Sequence, residues 1–485
     1  MSSTAPSKWL ALALLAAAQF VVILDASIVN VALPSIGADL NFSQENLSWV
    51  VNAYVLVFGG FLLLGGRMAD LLGRRRLFMI GLVVFALASL AGGLAQTEAQ
   101  LIIARAVQGL GGALLSPAAL SLVTVLFEEG AERNKAMGVW GAVAGSGGAV
   151  GVLLGGMLTE WAGWEWVLFV NVPVGIAAAA LAPRLLPESR NEGHRHFDFA
   201  GAISITAGLS LLVYTLVDAE SAGWGSAQTL GLGALALGLI ASFYFIERRS
   251  KAPLMPFPGI FRMRTITGIN VSAVLIAAAL FSMFFFISLY MQQVLGFSAL
   301  EAGLAYLPLA VGIIITAGAT AGLVTRFGFK PVLVSGLIVT AGGLVWFTQV
   351  DADGSYVGDI LFPSIVAAIG LGLAFVSMTV AAVSGVEAHE AGLASGLINT
   401  SQQIGGALGL AILATIANTR TANAFETGAS TPTALTEGFQ SAFMVGAGFA
   451  IAGAILAMIL VSGRASREHA EAARRGELDP VPAAA

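Results

Sequence analysis

The sequence predicts an all-α polytopic membrane protein of fourteen spans, built as two six-helix bundles with two extra linking helices between them. Three observations predict it. Hydrophobic residues make up 57% of the 485-residue chain and charged ones only 11%, whereas about a quarter of an average soluble domain is charged. The apolar runs are long and unbroken rather than alternating, which selects helices over a closed barrel as the way to satisfy backbone in lipid. Lys and Arg fall almost entirely on one side of the topology those runs define.

The apolar segments lie near 9–33, 48–66, 77–96, 100–126, 136–160, 165–183, 200–218, 229–246, 267–292, 302–325, 331–350, 357–384, 402–418 and 439–462. Each is close to the roughly 20 residues that cross a bilayer. The first follows Lys8 and contains Asp25, so it reads as a membrane helix and not as a cleaved signal peptide. With the N-terminus in the cytoplasm, every Lys and Arg except Arg105 and Arg420 falls inside, as the positive-inside rule demands. Arg420 lies outside and Arg105 lies within span four. One missed span in the middle would destroy this asymmetry, so it supports the count as well as the orientation. Both termini are expected in the cytoplasm, and the protein in the cell membrane.

The chain repeats itself. Ala136, Gly138, Gly147, Gly148, Ala149 and Gly151 of span five recur as Ala394, Gly396, Gly405, Gly406, Ala407 and Gly409 of span thirteen. Gly73 with Arg74–Arg76 after span two is echoed by Gly328 and Lys330 after span ten. Gly109-Leu110-Gly111 in span four returns as Gly370-Leu371-Gly372 in span twelve. Spans one to six and nine to fourteen therefore read as parallel repeats, with seven and eight inserted. The expected units are an N-terminal bundle over 1–185, the inserted helices with their linkers over 186–265, a C-terminal bundle over 266–463 and a tail over 464–485. Two such halves with a binding site between them at mid-membrane is a transporter plan.

Asp25 is the acid deep in an apolar helix. A charge there is costly, which makes it a functional candidate by default and a candidate proton carrier. Arg105 is the other deep charge. Counted at 1.5 Å per residue from the outer ends of their spans, the two stand at similar depth, so they are expected to pair directly or through water. A guanidinium keeps its proton but biases whether Asp25 keeps one. Gln108, one turn from Arg105, is placed to relay a hydrogen bond. The matching region of span nine, near Ser282 and Met283, holds no acid, so proton handling is expected in the N-terminal half alone.

Span nine carries Ser282, Phe286, Tyr290 and Gln293 on one helical face. A largely aromatic surface with few polar groups suits an adaptable apolar pocket; generic packing is the alternative. Asn30, Asn52 and Tyr54 are further candidates for the cavity. Gly147, Gly151 and Gly155, followed by Gly156, form a flat face that lets another backbone approach closely. It serves either a sliding contact between the halves or passive packing.

Other chemistries find no support. The chain has no cysteine and four histidines, so neither thiolate catalysis nor a zinc centre is expected, and His194, His196 and Asp198 read as a solvated loop. Gly145-Ser146-Gly147-Gly148 lies inside a span with no preceding strand, so it is not a nucleotide loop. The external acids are scattered, so no enzyme activity, cofactor, metal or nucleic-acid partner is expected.

Five stretches are recognisable together: Leu24-Asp25-Ala26-Ser27-Ile28-Val29-Asn30-Val31-Ala32-Leu33-Pro34; Gly65-Gly66-Arg67-Met68-Ala69-Asp70-Leu71-Leu72-Gly73-Arg74-Arg75-Arg76; Arg105-Ala106-Val107-Gln108-Gly109; Gly147 to Gly156; and Phe169-Val170-Asn171-Val172-Pro173-Val174-Gly175. In this order they resemble the major facilitator superfamily, and within it the fourteen-helix drug:proton antiporters. The resemblance covers nearly the whole chain. It implies the major facilitator fold and multidrug or antibiotic efflux driven by the proton gradient. It also implies a latch at the inner gate made by Gly66, Arg67, Asp70, Gly73, Arg74, Arg75 and Arg76. Two positions depart from the family pattern: Val152 stands where the span-five motif usually has proline, and Trp164-Glu165-Trp166 where span six usually opens with Trp-Arg-Trp.

The expected function is therefore proton-coupled export of lipophilic small molecules by alternating access, by a monomer in the lipid bilayer. A facilitator or proton symporter of the same fold is the alternative.

Overall fold

The computed structural model describes residues 8–42, 47, 49–128, 130–189, 198–250, 263–384, 386 and 391–475. Helices α1 (Lys8–Asp39), α2 (Trp49–Leu72), α3 (Arg74–Gly93), α4 (Glu98–Leu126), α5 (Ala131–Trp161) and α6 (Asn171–Leu185) make the first bundle. Next come α7 (Phe199–Ala222) and α8 (Ala227–Arg249). Helices α9 (Arg264–Leu289), α10 (Leu307–Phe327), α11 (Phe329–Phe347), α12 (Phe362–Val383), α13 (Ala391–Glu426) and α14 (Thr431–Leu460) make the second bundle, and α15 (Gly463–Arg475) follows it. Each predicted span coincides with one of α1–α14. Among the described residues 12 helices are long and apolar enough to cross a membrane. The bent α5 is a thirteenth, and the apolar part of α7, Ala200–Leu216, is shorter.

The repeats extend to conformation. Gly73 and Gly328, at the α2–α3 and α10–α11 turns, have φ of 109° and 84°, values open to glycine and costly for other residues. The α5 stripe packs on α1: a methyl added at Gly147 would meet Ile23, and one at Gly151 would meet Ser27 and Leu24. The α13 stripe packs likewise on α9, with Gly405 against Val274 and Gly409 against Ala278.

Several boundaries differ from the hydropathy reading: α1 ends at Asp39 rather than near 33, α13 ends at Glu426 rather than near 418, and α14 starts at Thr431 rather than near 439. Helix α13 starts at Ala391 rather than near 402. Its early polar residues hide it from a hydropathy window but are satisfied in place: Asn399 Nδ2 donates to Ser395 O (2.8 Å) and Ser401 Oγ donates to Asn270 Oδ1 (2.9 Å). Helix α9 ends in a π-helical turn, Tyr290–Val294, which shifts Gln293 off the face expected for it. Helix α5 bends by 44° between Ala131–Gly148 and Val150–Trp161. Its Gly/Ser run supplies the weak point without a proline.

The halves meet along two seams, α2 against α13 and α5 against α10 and α12. They are closed at the end that carries Arg74–Arg76, here termed the basic end. Gly396 sits over Leu62 O, and Gly141 packs on Val376. Each seam carries a strap. Helix α7 contacts both α2 and α13: Tyr214 stacks on Trp49 with ring centroids 5.9 Å apart, and Ala202, Ile205 and Leu209 share one apolar cluster with Leu63 and Leu393. The inserted pair thus reinforces the interface between the bundles through α7. At the other seam α15 lays His469 between the halves. Its Nε2 lies 3.0 Å from Asn134 Oδ1 on α5, and its Nδ1 lies 3.2 Å from Ser384 Oγ just after α12.

Candidate functional site

Asp25, at mid-length on α1, is wholly buried, 0% exposed. A carboxylate in that position is tolerated only if its oxygens are paired, and both are. Arg105 Nη1 on α4 donates to Oδ2 at 2.6 Å. Gln108 Nε2 and Asn171 Nδ2 each donate to Oδ1 at 2.7 Å. Three helices of the N-terminal bundle thus close on one acid.

Arg105 is held on every side. Its Nη1 also donates to Gln108 Oε1 (2.6 Å) and its Nε donates to Val50 O (3.0 Å). Its guanidinium carbon lies 4.4 Å from the centre of the Tyr54 ring, a cation–π contact. Gln108 Nε2 also reaches Ser89 Oγ on α3 at 2.7 Å. The orientation of each amide follows from chemistry: a guanidinium only donates and a carboxylate only accepts, so Gln108 must turn its oxygen to Arg105 and its nitrogen to Asp25.

The pseudo-equivalent of this centre is apolar. The contact Ile23–Gly147 recurs as Val274–Gly405, which puts Ile276 at the place of Asp25. That is six residues before the Ser282–Met283 region expected from sequence, and Ile276 is buried and uncharged. Only the first half carries the acid.

At the basic end Asp70 is also fully buried. Its Oδ1 accepts from Arg74 Nη2 (2.7 Å) and Nε (3.2 Å). Its Oδ2 accepts from the main-chain N–H of Leu393, in the first turn of α13, at 3.0 Å. Arg74 Nη1 holds Ser189 Oγ (2.8 Å), and Arg75 Nη1 holds Leu186 O (3.0 Å). Gly66 and Arg67 are buried beside them, while Arg76 is exposed. Gly73 leaves room for Glu188, whose Oε1 would lie 2.7 Å from an added methyl.

The structure places other predicted residues differently. The glycine face Gly147, Gly151 and Gly155 lies against α1 of its own bundle, not against the other half; Gly156 is buried beside it. Helix α5 meets the second bundle through other residues, Gly138, Gly141 and Leu153. Tyr54 belongs under Arg105 and is buried, not open to a cavity. Phe286 and Tyr290 are turned inward. Phe286 packs on Phe439 and Phe443, and Tyr290 donates its hydroxyl to Asp351 O (2.6 Å). Their size and the phenol's need for an acceptor favour that core position. Phe281 and Phe285, 44% and 40% exposed, show the open face of α9 instead. Asn30 and Gln293 are exposed, and Asn52 is half-buried. The side chain of Ser282, and His194 and His196, lie outside the described residues.

The residues that sequence reasoning missed are Asn171, Ser89 and the main chain of Val50. A carboxamide in the apolar run after Phe169 marks Asn171 as unusual, but nothing in the spacing of α6 ties it to Asp25. A lone serine such as Ser89 gives no signal.

Next to Glu165, Trp164 Nε1 donates to Asp39 Oδ2 at 3.0 Å, pinning the start of the sixth span to the end of α1. Val152 and Leu153 carry main chain on which Gly303 of the second bundle sits. Among the described residues no group of three His, Asp or Glu is placed to hold a metal ion.

The profile of the Major Facilitator Superfamily matches residues 15–410. A puromycin resistance protein of Streptomyces alboniger is 40% identical over 95% of this chain and 92% of its own length. A cephamycin export protein of Amycolatopsis lactamdurans is 41% identical over 93% and 92%. A multidrug transporter protein of Bacillus subtilis is 34% identical over 84% and 74%. Among solved structures, the human organic anion transporter MFSD10 superposes with a TM-score of 0.67 at 13% identity, over 93% of this chain and 100% of its own. The proton:xylose symporter XylE does so with a TM-score of 0.67 at 15% identity, over 94% and 96%. The profile and the sequence relatives show that this chain belongs to the major facilitator superfamily and is a membrane transporter, not an enzyme.

Proposed function

We propose that this chain is a proton-driven antiporter that exports lipophilic small molecules, antibiotics among them, from the cytoplasm by alternating access. One observation carries the proton coupling: Asp25 is wholly buried, is held by α4 and α6 together, and has an isoleucine at its counterpart. The export of antibiotics is supported by relatives named for antibiotic resistance and export that match nearly the full chain. The one-sided Lys and Arg distribution supports a cell-membrane protein with both termini inside.

The packing around Asp25 supports a route for such coupling. As an anion, Asp25 draws α4 and α6 onto α1. A proton removes the charge and weakens that grip, while Arg105 keeps its bonds to Gln108 and Val50. Helix α1 is locked to α5 by the glycine face, and α5 forms the seam with α10 and α12. A change of protonation at Asp25 is thereby felt at the contact between the halves. Such a differential contact is what a ligand needs in order to shift a two-state equilibrium.

The test is uptake into inverted vesicles under an imposed pH gradient, with a panel of dyes and antibiotics. Wild type should accumulate substrate; Asp25→Asn should bind it and fail to concentrate it. Wild-type accumulation by Asp25→Asn would exclude Asp25 as the coupling residue. Accumulation in the opposite direction would make the protein a symporter.

A further inference from the structure

Three side chains donate to Asp25, and they are not equivalent. Arg105 has no acceptor atom at all. Gln108 has one, but Oε1 already accepts from Arg105 at 2.6 Å. Turning that amide would set its NH2 against a guanidinium. Asn171 is different. Its Nδ2 donates to Asp25 Oδ1 and lies 3.4 Å from Ser89 Oγ, while its Oδ1 is buried with no hydrogen-bond partner. A buried carbonyl oxygen left unpaired costs free energy, so this idle atom calls for a reason.

Protonation of Asp25 supplies one. A carboxyl at Oδ1 becomes a donor, and its oxygen can still accept one of the two N–H groups now aimed at it but no longer both. Gln108 keeps its bond, and of the three partners only Asn171 can answer by turning its carboxamide, so that Oδ1 accepts from the new O–H. The count of hydrogen bonds on Asp25 is then the same in both protonation states. Asn171 borders an apolar groove of about 430 Å³ among α1, α5 and α6, with Phe20, Leu24, Leu154 and Val174.

We infer that Asn171 is a positioning residue that reads the protonation state of Asp25, donating to the carboxylate and accepting from the carboxyl, and so passes that state to α6. The inference rests on Asp25 being the proton carrier. The other titratable or charged groups facing Asp25 are Arg105 on α4 and Tyr54 on α2; among the described residues α3, α5 and α6 add none. Arg105 keeps its charge through the cycle. Tyr54 is occupied with Arg105 and with Val22 O, 3.4 Å from its hydroxyl.

The test is infrared difference spectroscopy of the full-length protein in liposomes, between high and low pH, with and without ¹³C-asparagine. Wild type should show a carboxyl band that Asp25→Asn abolishes. It should also show a side-chain amide carbonyl band that moves with the label and is missing in Asn171→Leu. Asn171→Thr, whose hydroxyl both donates and accepts, serves as a milder change. It should retain more pH-gradient-driven accumulation than Asn171→Leu, which should lose it while still binding substrate. A carboxyl band from Asp25 with no asparagine carbonyl band would overturn the role of Asn171 and leave Asp25 as carrier. No carboxyl band from Asp25 would overturn both. Wild-type accumulation by Asn171→Leu would also sink the inference.

Discussion

Asp70, on the last turns of α2, accepts the main-chain N–H of Leu393 in the first turn of α13 at 3.0 Å. An acid from one bundle thereby caps a helix of the other. It meets one of the N–H groups that a helix start leaves unpaired and faces the positive end of the helix dipole. Its second oxygen is committed to Arg74, so the cap is held rigidly. A charge-assisted bond of this kind is worth roughly 1.5–3 kcal/mol. Asp70→Asn should weaken closure of the basic end by about that amount. With no native cysteine to interfere, a cysteine pair at Leu63 and Ala394, which share one apolar cluster, reports it directly. Disulfide yield should fall clearly in the Asp70→Asn background. An unchanged yield would mean that the apolar cluster alone holds the seam.

Arg105→Ala removes one member of a fully buried ion pair. Breaking such a pair costs about 3–5 kcal/mol because the remaining charge is stranded. Asp25 can escape that cost by staying protonated, and it would then no longer release a proton during the cycle. Export driven by a pH gradient should be lost, with substrate binding retained. Arg105→Lys keeps the charge but cannot serve Asp25, Gln108 and Val50 together, so it should recover only part of the activity. Full activity in Arg105→Lys would show that the point charge suffices and the guanidinium fork does not matter.

The strap at the second seam yields a conformational prediction. Asn134 Nδ2 donates to Thr325 Oγ1 at 3.0 Å, so its Oδ1 is the atom that accepts from His469. One side chain of α5 is thus tied to α10 and to α15 at once. Removing 463–485, or changing Asn134 to Ala, should loosen the α5–α10 seam at the basic end. Spin labels at Lys135 and Phe327, both exposed, should show a longer and broader distance distribution in either variant. A distribution like that of wild type would leave α15 without a part in closure.

The fold was legible in composition and repeat. Long apolar runs, one-sided basic residues and the recurring glycines require no knowledge of packing. The pairing of Asp25 with Arg105 followed from depth along two helices, because a rise per residue is enough to compare heights. Depth does not say which way a side chain turns about its helix, and the alternatives that sequence leaves open lie there. Phe286 and Tyr290, on a face that reads either as a pocket wall or as generic packing, lie in the core of the second bundle. Gly147, Gly151 and Gly155, on a face that reads either as a contact between halves or as passive packing, lie on α1. In a helix apolar all round, sequence gives no moment with which to choose a face. Asn171 escaped because its role depends on three helices meeting, which no spacing within α6 encodes.

With one acid at the centre of the protein and an isoleucine at its counterpart, a substrate carrying two positive charges finds one compensating charge at most. Neutral and monocationic lipophilic compounds should be exported better than dications of similar size. The comparison is one of initial rates in inverted vesicles for matched monocation and dication pairs. Equal rates would mean that charge on the substrate is met elsewhere.

The glycine face yields a prediction with a built-in control. A methyl at Gly151 would run into Ser27 Oγ and fall 2.9 Å from Leu24 O. The first clash is with a side-chain atom that can be removed; the second is with main chain that can only retreat. Ser27 Oγ itself only donates back to Leu24 O (2.9 Å) within α1, so losing it frees space at small cost. Gly151→Ala alone should push α5 off α1 and destabilise the protein by about 1–3 kcal/mol, the usual range for overpacking. Ser27→Ala alone should be nearly neutral. The double variant should regain a substantial part of the lost stability but not all, because the contact with Leu24 O persists. Thermal unfolding in detergent measures all three. If the double variant is as unstable as Gly151→Ala, main-chain contact between α1 and α5 sets the limit. Transport then separates packing from coupling. If α5 carries the state of Asp25 to the seam, the double variant should remain slow in pH-driven export even where its stability has recovered.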